Sequence, residues 1–390
     1  MSDFNQISIP AISLDEKVRT ARIKVLGVGG AGNNAVDEMI MSNMEGVEFI
    51  AINTDSQALE RCLAQTKIQI GNLVSGLGAG GNPDKGRQAA IEDREKLMEI
   101  IKGADLVFVT AGMGGGTGTG ASPVIAEIAR ELQILTVAVV TTPFAFEMGQ
   151  RMKQALEGIQ NLKDKVDSYI IVPNEKLIKM SEKGTTLVNS FAQANEVLKQ
   201  SVQGISELIL KKGLVNRDFA DVETVLQGKG RALMGTGISQ GDNRALQAIE
   251  NAISSPLLED VSIDGAMGAL FNVCGDESVT IQEVNSAIGF VRQKLHPEAN
   301  IFWGAYIDSS MNDAIKFTVI ISGLPESVHK STTIQEKPVA KAEAAADSKK
   351  FLRLGKTPTP STLEDIYDVS FDGEEAEFMI PAYQRKKEKK

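Results

Sequence analysis

Three stretches of this 390-residue chain carry residue types and spacings that can do chemistry. The first is the glycine loop Gly27-Val28-Gly29-Gly30-Ala31-Gly32-Asn33-Asn34, which follows an apolar run and opens a helical pattern. The second, Gly114-Gly115-Gly116-Thr117-Gly118-Thr119-Gly120, stands in the same context. Glycines let the backbone turn sharply and approach an anion closely, and the N-terminus of the following helix favours negative charge. Five glycines in seven residues are costly to order, so the second loop points to a polyphosphate held against bare backbone, with Thr117 and Thr119 as hydroxyl donors. The third stretch is Asn216-Arg217-Asp218-Phe219-Ala220-Asp221. Asp218 and Asp221 are three apart and can share one face of a helical turn, although the same pattern also fits an ordinary N-cap and first-turn acid. A further glycine-rich segment, 76–82, is either a loop that closes over a terminal phosphate or a plain surface loop.

Several chemistries are disfavoured by what the chain lacks. The Walker pattern is absent, so no P-loop lysine is available. Gly27, Gly29 and Gly32 match the dinucleotide fingerprint, and Asn53-Thr54-Asp55 ends the second strand where such enzymes place an acid. An NAD-dependent oxidoreductase therefore stays open, with the second glycine loop as the argument against it. The two histidines, His296 and His329, have no evident partners. Cys62 and Cys274 lack metal-ligand spacing, which predicts no zinc site and suggests a reducing compartment. A net charge of −10 disfavours general binding to nucleic acid, so phosphates must be met by backbone N–H groups and bound cations. No signal pattern opens the chain, and no apolar stretch approaches the ~20 residues that span a bilayer.

The elements that must hold these loops alternate apolar runs with helical patterns, which predicts a parallel α/β sheet covered by helices. Strands are expected at 23–27, 48–53, 68–70, 105–111, 135–141 and 168–172, with helices from 34 to 42, 86 to 101 and 122 to 132. A long helix follows, marked by Leu187, Phe191, Ala194, Leu198, Val202, Ile205 and Ile209. Lys211 and Lys212 suit its C-terminal dipole and Gly213 its end, while Gly204 is its weak point. A smaller α+β unit comes next, with helices at 243–253 and 281–295 and strands at 267–274, 300–307 and 315–322. The expected organisation is an arm at 1–20, a nucleotide-binding domain at 21–186, the helix and acidic loop at 187–223, and the α+β domain at 224–325. A disordered linker at 326–375 and a short terminal peptide at 376–390 complete it.

The second loop resembles the signature G-G-G-T-G-[ST]-G of the tubulin/FtsZ family, and the likeness runs in order over about 21–325. It includes 29–34, Asn53-Thr54-Asp55, the loop 78–82 and the stretch 143–151. The resemblance implies a GTPase of bacterial cell division that binds GTP or GDP with Mg²⁺, polymerises head to tail and works in the cytoplasm at a mid-cell ring. By resemblance, Gly29, Gly30, Ala31, Gly32, Asn33 and Asn34 cradle the nucleotide, and Gly115, Gly116, Thr117, Gly118 and Thr119 hold its phosphates. Asn53, Ala79, Gly80 and Asn174 join the site. Glu147 and Arg151 approach the ribose and phosphates, Phe191 stacks on guanine, and Asn195 bonds the base edge. Asn216, Asp218 and Asp221 are implied as catalytic, with no protein metal cage.

The long helix makes a geometric demand on that reading. If Asn195 reads the base, the acids lie past the helix's far end, about 25 Å away at 1.5 Å per residue. They are expected to serve a neighbouring subunit's nucleotide, a heterologous contact that builds a filament when its rotation does not close. A non-hydrolysing scaffold of the same fold is the other alternative. At the C-terminus, the segment from Phe378 to Arg385 contains Ile380-Pro381-Ala382 and resembles the family's peptide for membrane adaptors and division regulators.

Overall fold

The computed structural model describes residues 20–71, 76–147, 149–180, 184–211, 213–215, 217–255, 258 and 262–324. The arm, the linker, the terminal peptide, Met148 and Asn216 lie outside the described residues.

Apolar runs at alternating chain positions build a seven-stranded sheet of order β3-β2-β1-β4-β5-β6-β7. Its strands are β1 (Ile23–Val28), β2 (Val47–Asn53), β3 (Thr66–Gln69), β4 (Leu106–Gly112), β5 (Leu135–Thr142), β6 (Ser168–Pro173) and β7 (Gly230–Arg231). Every pairing is parallel. Central strands β4 and β5 are buried along almost their whole length, so they read as continuous hydrophobic runs rather than alternating ones.

Helices cover both faces. On one side pack α1 (Gly29–Met41) and the 24-residue α8 (Leu187–Leu210); on the other lie α3 (Pro83–Glu92), α4 (Arg94–Ile101), α5 (Thr117–Glu131) and α6 (Gly149–Lys163). Short helices α2 (Ser56–Arg61), α7 (Asn174–Met180) and α9 (Phe219–Leu226) fill the connections. Of the periodic apolar residues of α8, Ala194, Leu198, Val202 and Ile205 are buried in one cluster that also takes Leu270 and Ile320 from a second sheet, Ile209 packs at its edge, and Leu187 and Phe191 are exposed. One helix thus joins two bodies by burying apolar surface against each.

The second sheet has the order β10-β9-β11-β8, with β8 (Leu233–Gln240), β9 (Gly268–Gly275), β10 (Asn300–Ile307) and β11 (Ala314–Ser322). Helices α10 (Arg244–Ile253) and α11 (Ile281–Arg292) cover its outer face around Phe271, Phe317 and Val319. Only β10 and β9 run parallel; β11 is antiparallel to both its neighbours.

Several boundaries differ from the sequence expectation, each for a local reason. The helices expected at 34 and 122 begin at Gly29 and Thr117, inside the glycine loops themselves. The helix expected over 86–101 is two helices, broken at Asp93, whose carboxylate accepts the Gly71 N–H at 2.7 Å. Strand β8 was not expected, because Gly235 and Gly237 weaken its pattern. A Cβ on Gly235 would lie 2.0 Å from the Ala252 carbonyl and one on Gly237 2.1 Å from that of Ala248, so the glycines let α10 lie directly on the strand. The last strand of the first sheet, β7, falls beyond residue 223, inside the span assigned to the second domain.

Candidate functional site

The carboxyl ends of β1, β4 and β5 open on a pocket of about 250 Å³. Such crevices beyond parallel strand ends are where open α/β sheets bind ligands. Two helix N-termini point into it. Neither α1, capped by Val28, nor α5, capped by Gly116, receives a side-chain cap, and neither has an acid in its first turn. Helices α2, α3, α8, α9 and α11 are capped by side chains; α4 and α10 are not, but their first residues do not line this pocket. The first-turn N–H groups of α1 and α5 are therefore left for an anion, and the two macrodipoles add.

The glycines of the second loop serve mainly to bring backbone against backbone. Gly114 holds φ +96°, and a Cβ there would lie 2.6 Å from the Arg151 carbonyl. At Gly118 the same atom would meet the Gly112 carbonyl at 2.7 Å, and at Gly120 the Pro83 carbonyl at 1.9 Å. Only Gly115 in this loop, with Gly30 in the first, faces open space among the pocket residues. Room for the ligand is thus one part of the reason for five glycines; close packing of α3 and α5 is the other.

Of the residues named from sequence, Gly29, Gly30, Ala31, Gly115, Gly116, Thr117, Gly118, Glu147, Arg151, Asn174, Phe191 and Asn195 line the pocket. Glu147 accepts the Phe144 N–H at 3.0 Å and pairs with Arg151 at 2.7 Å. Phe191 is 41% exposed and meets Phe144 edge to face with centroids 5.2 Å apart. Asn174 is buried, and its Oδ1 has no hydrogen-bond partner. A buried acceptor without a donor is unfavourable until an N–H group reaches it.

Other named residues hold the walls instead. Gly32 packs α1 on the sheet, where a Cβ would lie 2.4 Å from the Thr110 carbonyl. The Asn33 amide, turned to face carbonyls, donates to Gly27 at 3.1 Å and Ile52 at 3.2 Å. Asn34 is exposed on the α1 face shared with Gly30 and Ala31. Asn53 accepts the Thr54 and Asp55 N–H groups, and Thr119 accepts that of Gly114 at 2.8 Å. Thr54 and Thr117 hydroxyls meet at 2.6 Å, tying the end of β2 to α5. Ala79 is buried 2.7 Å from where a Cβ on Gly116 would stand, and Gly80 is exposed beside it with φ +59°. Asp55, the acid a dinucleotide enzyme would turn on its ribose, instead caps α2 through Gln57 and Ala58. Val28, Gly112, Met113, Thr141, Pro143 and Ala194, which the sequence does not single out as site residues, also line the pocket. The signal that could have found most of them is their place at or just past strand ends.

A larger cleft of about 750 Å³ opens between α3, α5 and α6. It is lined by charged side chains of both signs, among them Asp84, Arg87, Lys153 and Glu157, whereas the smaller pocket is the one lined by both glycine loops.

The acids lie elsewhere. Asp218 is exposed, caps α9 and accepts the Asp221 N–H at 3.1 Å; Asp221 pairs with Arg217 at 3.4 Å. Neither lines the pocket. Phe191 and Asn195 sit near the start of α8, and from Asn195 to Leu210 the helix advances about 22 Å before the acidic segment begins. No cluster of three or more His, Cys, Asp or Glu that could hold a metal occurs among the described residues. The pocket's one carboxylate, Glu147, already carries two partners, so a Mg²⁺ there fits only as an ion carried by phosphate oxygens and water. No helix among the described residues is long and apolar enough to cross a membrane.

Comparison with known proteins places these features in context. Residues 22–182 match the model of the tubulin/FtsZ family GTPase domain, and residues 230–325 that of the FtsZ family C-terminal domain. The chain is 48% identical to the cell division protein FtsZ of Pseudomonas aeruginosa over 86% of each chain. It is 50% identical to that of Coxiella burnetii over 82% of this chain and 83% of the relative. Among solved structures, an empty FtsZ dimer of M. jannaschii superposes with a TM-score of 0.75 at 46% identity, covering 79% of this chain and 89% of its own. A GTPγS-bound protofilament of CetZ2 from Haloferax volcanii, at 21% identity and a TM-score of 0.68 over 79% and 94%, shares the fold.

Proposed function

The chain belongs to the FtsZ family of tubulin-like GTPases, and from that premise we propose that it hydrolyses GTP at contacts between head-to-tail copies of itself. It is a guanine-nucleotide-binding GTPase of cell division. In the proposed arrangement the pocket binds GTP through the free N–H groups of α1 and α5, Phe191 packs on the base, and Asn174 and Asn195 bond its edge. Asp218 and Asp221 of the next copy reach the γ-phosphate and orient the attacking water. Asn216 is the third proposed member of that group. Bound Mg²⁺ supplies neutralisation of phosphate charge.

One observation carries the reading. A single helix separates the pocket from the acids, and past its far end Asp218 is exposed to solvent with Asp221 half-buried beside it. Relatives titled as a dimer and as a protofilament support self-association. Filaments so built would work in the cytoplasm as the contractile or scaffolding ring at mid-cell. The segment 378–385 is proposed to bind membrane adaptors and division regulators; deleting 376–390 should then leave polymerisation intact and remove recruitment.

Turnover per chain against concentration tests the shared site. The rate per molecule should rise steeply as copies meet; a rate per molecule constant down to high dilution would place a complete site in one chain.

A further inference from the structure

At the C-terminal turn of α8 a carboxylate is buried between the two bodies of the fold. Glu207 is 8% exposed. Its Oε1 accepts from its own helix and the segment after it, through Gln203 Nε2 at 2.8 Å and Lys211 Nζ at 3.1 Å. Its Oε2 accepts from the second sheet, through Asn272 Nδ2 on β9 at 3.2 Å and Tyr306 Oη on β10 at 3.1 Å. Lys211 also stands 4.1 Å from the centroid of the Tyr306 ring. A buried carboxylate is unfavourable unless fully partnered, and this one has four donors divided between two bodies. Burial, and after it the charge of Glu207, push the Tyr306 phenol well above its ordinary value, so it remains a donor.

The acidic segment leaves this point along the free edge of β10. Val215 and Ala305 exchange both backbone hydrogen bonds at 3.2 Å, in antiparallel sense. Two residues on, Arg217 Nε donates to the Trp303 carbonyl at 2.6 Å, and Arg217 pairs with Asp221. Gly304 permits the approach, since a Cβ there would sit 3.0 Å from Leu208 and 3.2 Å from the Val215 carbonyl. The described residues of the segment thus meet β10 at two points, Val215 on Ala305 and Arg217 on Trp303, just before Asp218. Tyr306, next to the bridged Ala305, and Lys211, four residues before the bridged Val215, both bond Glu207.

We propose that Glu207 is a positioning residue for GTP hydrolysis: its carboxylate, gripped by Tyr306 and Asn272 on one side and Lys211 on the other, fixes the register of the acidic segment on β10 and so the place of Asp218. The inference rests on the reading that Asp218 completes a neighbour's site. In-line attack tolerates little misplacement, so loosening the grip lowers turnover without touching the distant pocket.

The test measures GTP turnover by the full chain, normalised to pelleted polymer mass, for wild type, Tyr306→Phe, Lys211→Met and Asp218→Ala. Tyr306→Phe keeps the ring beside Lys211 and removes one donor to Glu207. It should lose roughly tenfold in turnover at saturating GTP with KM unchanged, and Lys211→Met roughly threefold. A role in folding alone would lower polymer mass and leave turnover per polymer as in wild type, which overturns the proposal. If Tyr306→Phe does not assemble, Lys211→Met decides in the same way, because the Lys211 side chain is 47% exposed and leaves no buried space when replaced. Wild-type turnover in Asp218→Ala would remove the underlying reading. Loss in Asp218→Ala with wild-type rates in both other variants rejects the role of Glu207 alone.

Discussion

The two ends of α8 are built by opposite means. At the first end the site is mostly main chain: uncapped helix N-termini, an open Gly115, and a buried Asn174 oxygen awaiting a donor. At the far end it is side chains: Asp218 is exposed and hydrogen-bonded to its own helix, and Arg217 reaches across to Trp303. The first end is concave and made for binding. The second is convex, charged and held in place by ties to another sheet. A pocket and an exposed acid at opposite ends of one helix are what the proposed reaction between copies needs, and the contrast can be attacked from either side.

The largest effect is expected from Asp218→Ala. Turnover should fall on the order of a hundredfold or more, as for loss of a group acting only in the transition state, while GTP affinity by filter binding stays at the wild-type value. Equal losses in both quantities would erase the distinction between the ends. Gly118→Val tests the first end. Its Cβ would meet the Gly112 and Val28 carbonyls, so the loop must shift, and GTP affinity should drop roughly tenfold or more in equilibrium binding. Asn174→Ala removes the unpartnered acceptor, and affinity for GTP relative to ATP should fall by about three- to tenfold.

The smallest effect belongs to the second sheet's own scaffold. The Arg244 guanidinium, with the Thr280 N–H and hydroxyl, holds the Glu283 carboxyl down at about 2 against an ordinary 4.5. Because the folded value is the lower one, the stabilisation is present above the unfolded value and is lost as pH falls through the folded one. Glu283→Gln should therefore lower Tm modestly at neutral pH, with the gap to wild type closing as pH falls from about 4.5 towards 2. GTP affinity at the far pocket should not change.

How much of this is legible in the sequence follows the same division. The parallel sheet, the long helix and the glycine loops can be read because period, run length and glycine clustering are local properties. Where α1 and α5 begin cannot, since glycine is a poor helix former and both helices start in glycine-rich turns. Strand β8 is hidden for a tertiary reason, the contact of Gly235 and Gly237 with α10. In the pocket, sequence order marks the loops but not the aim of each side chain. Asn33, Asn53 and Thr119 turn inward to hold backbone, while Thr141 and Pro143 reach the pocket only because β5 ends there. The place of Asp218 was legible as a distance along α8. The ties from Glu207 to Tyr306 and Asn272 were not, because they join residues far apart in the chain.

The most direct test of the shared site is a mixing experiment. Asp218→Ala keeps a pocket without the acid, and Gly118→Val keeps the acid without a working pocket. Each alone should release little phosphate. Mixed, the second variant's acid should act on GTP held by the first, so phosphate release should clearly exceed the sum of the separate rates. A mixture no faster than that sum would contradict hydrolysis completed between copies.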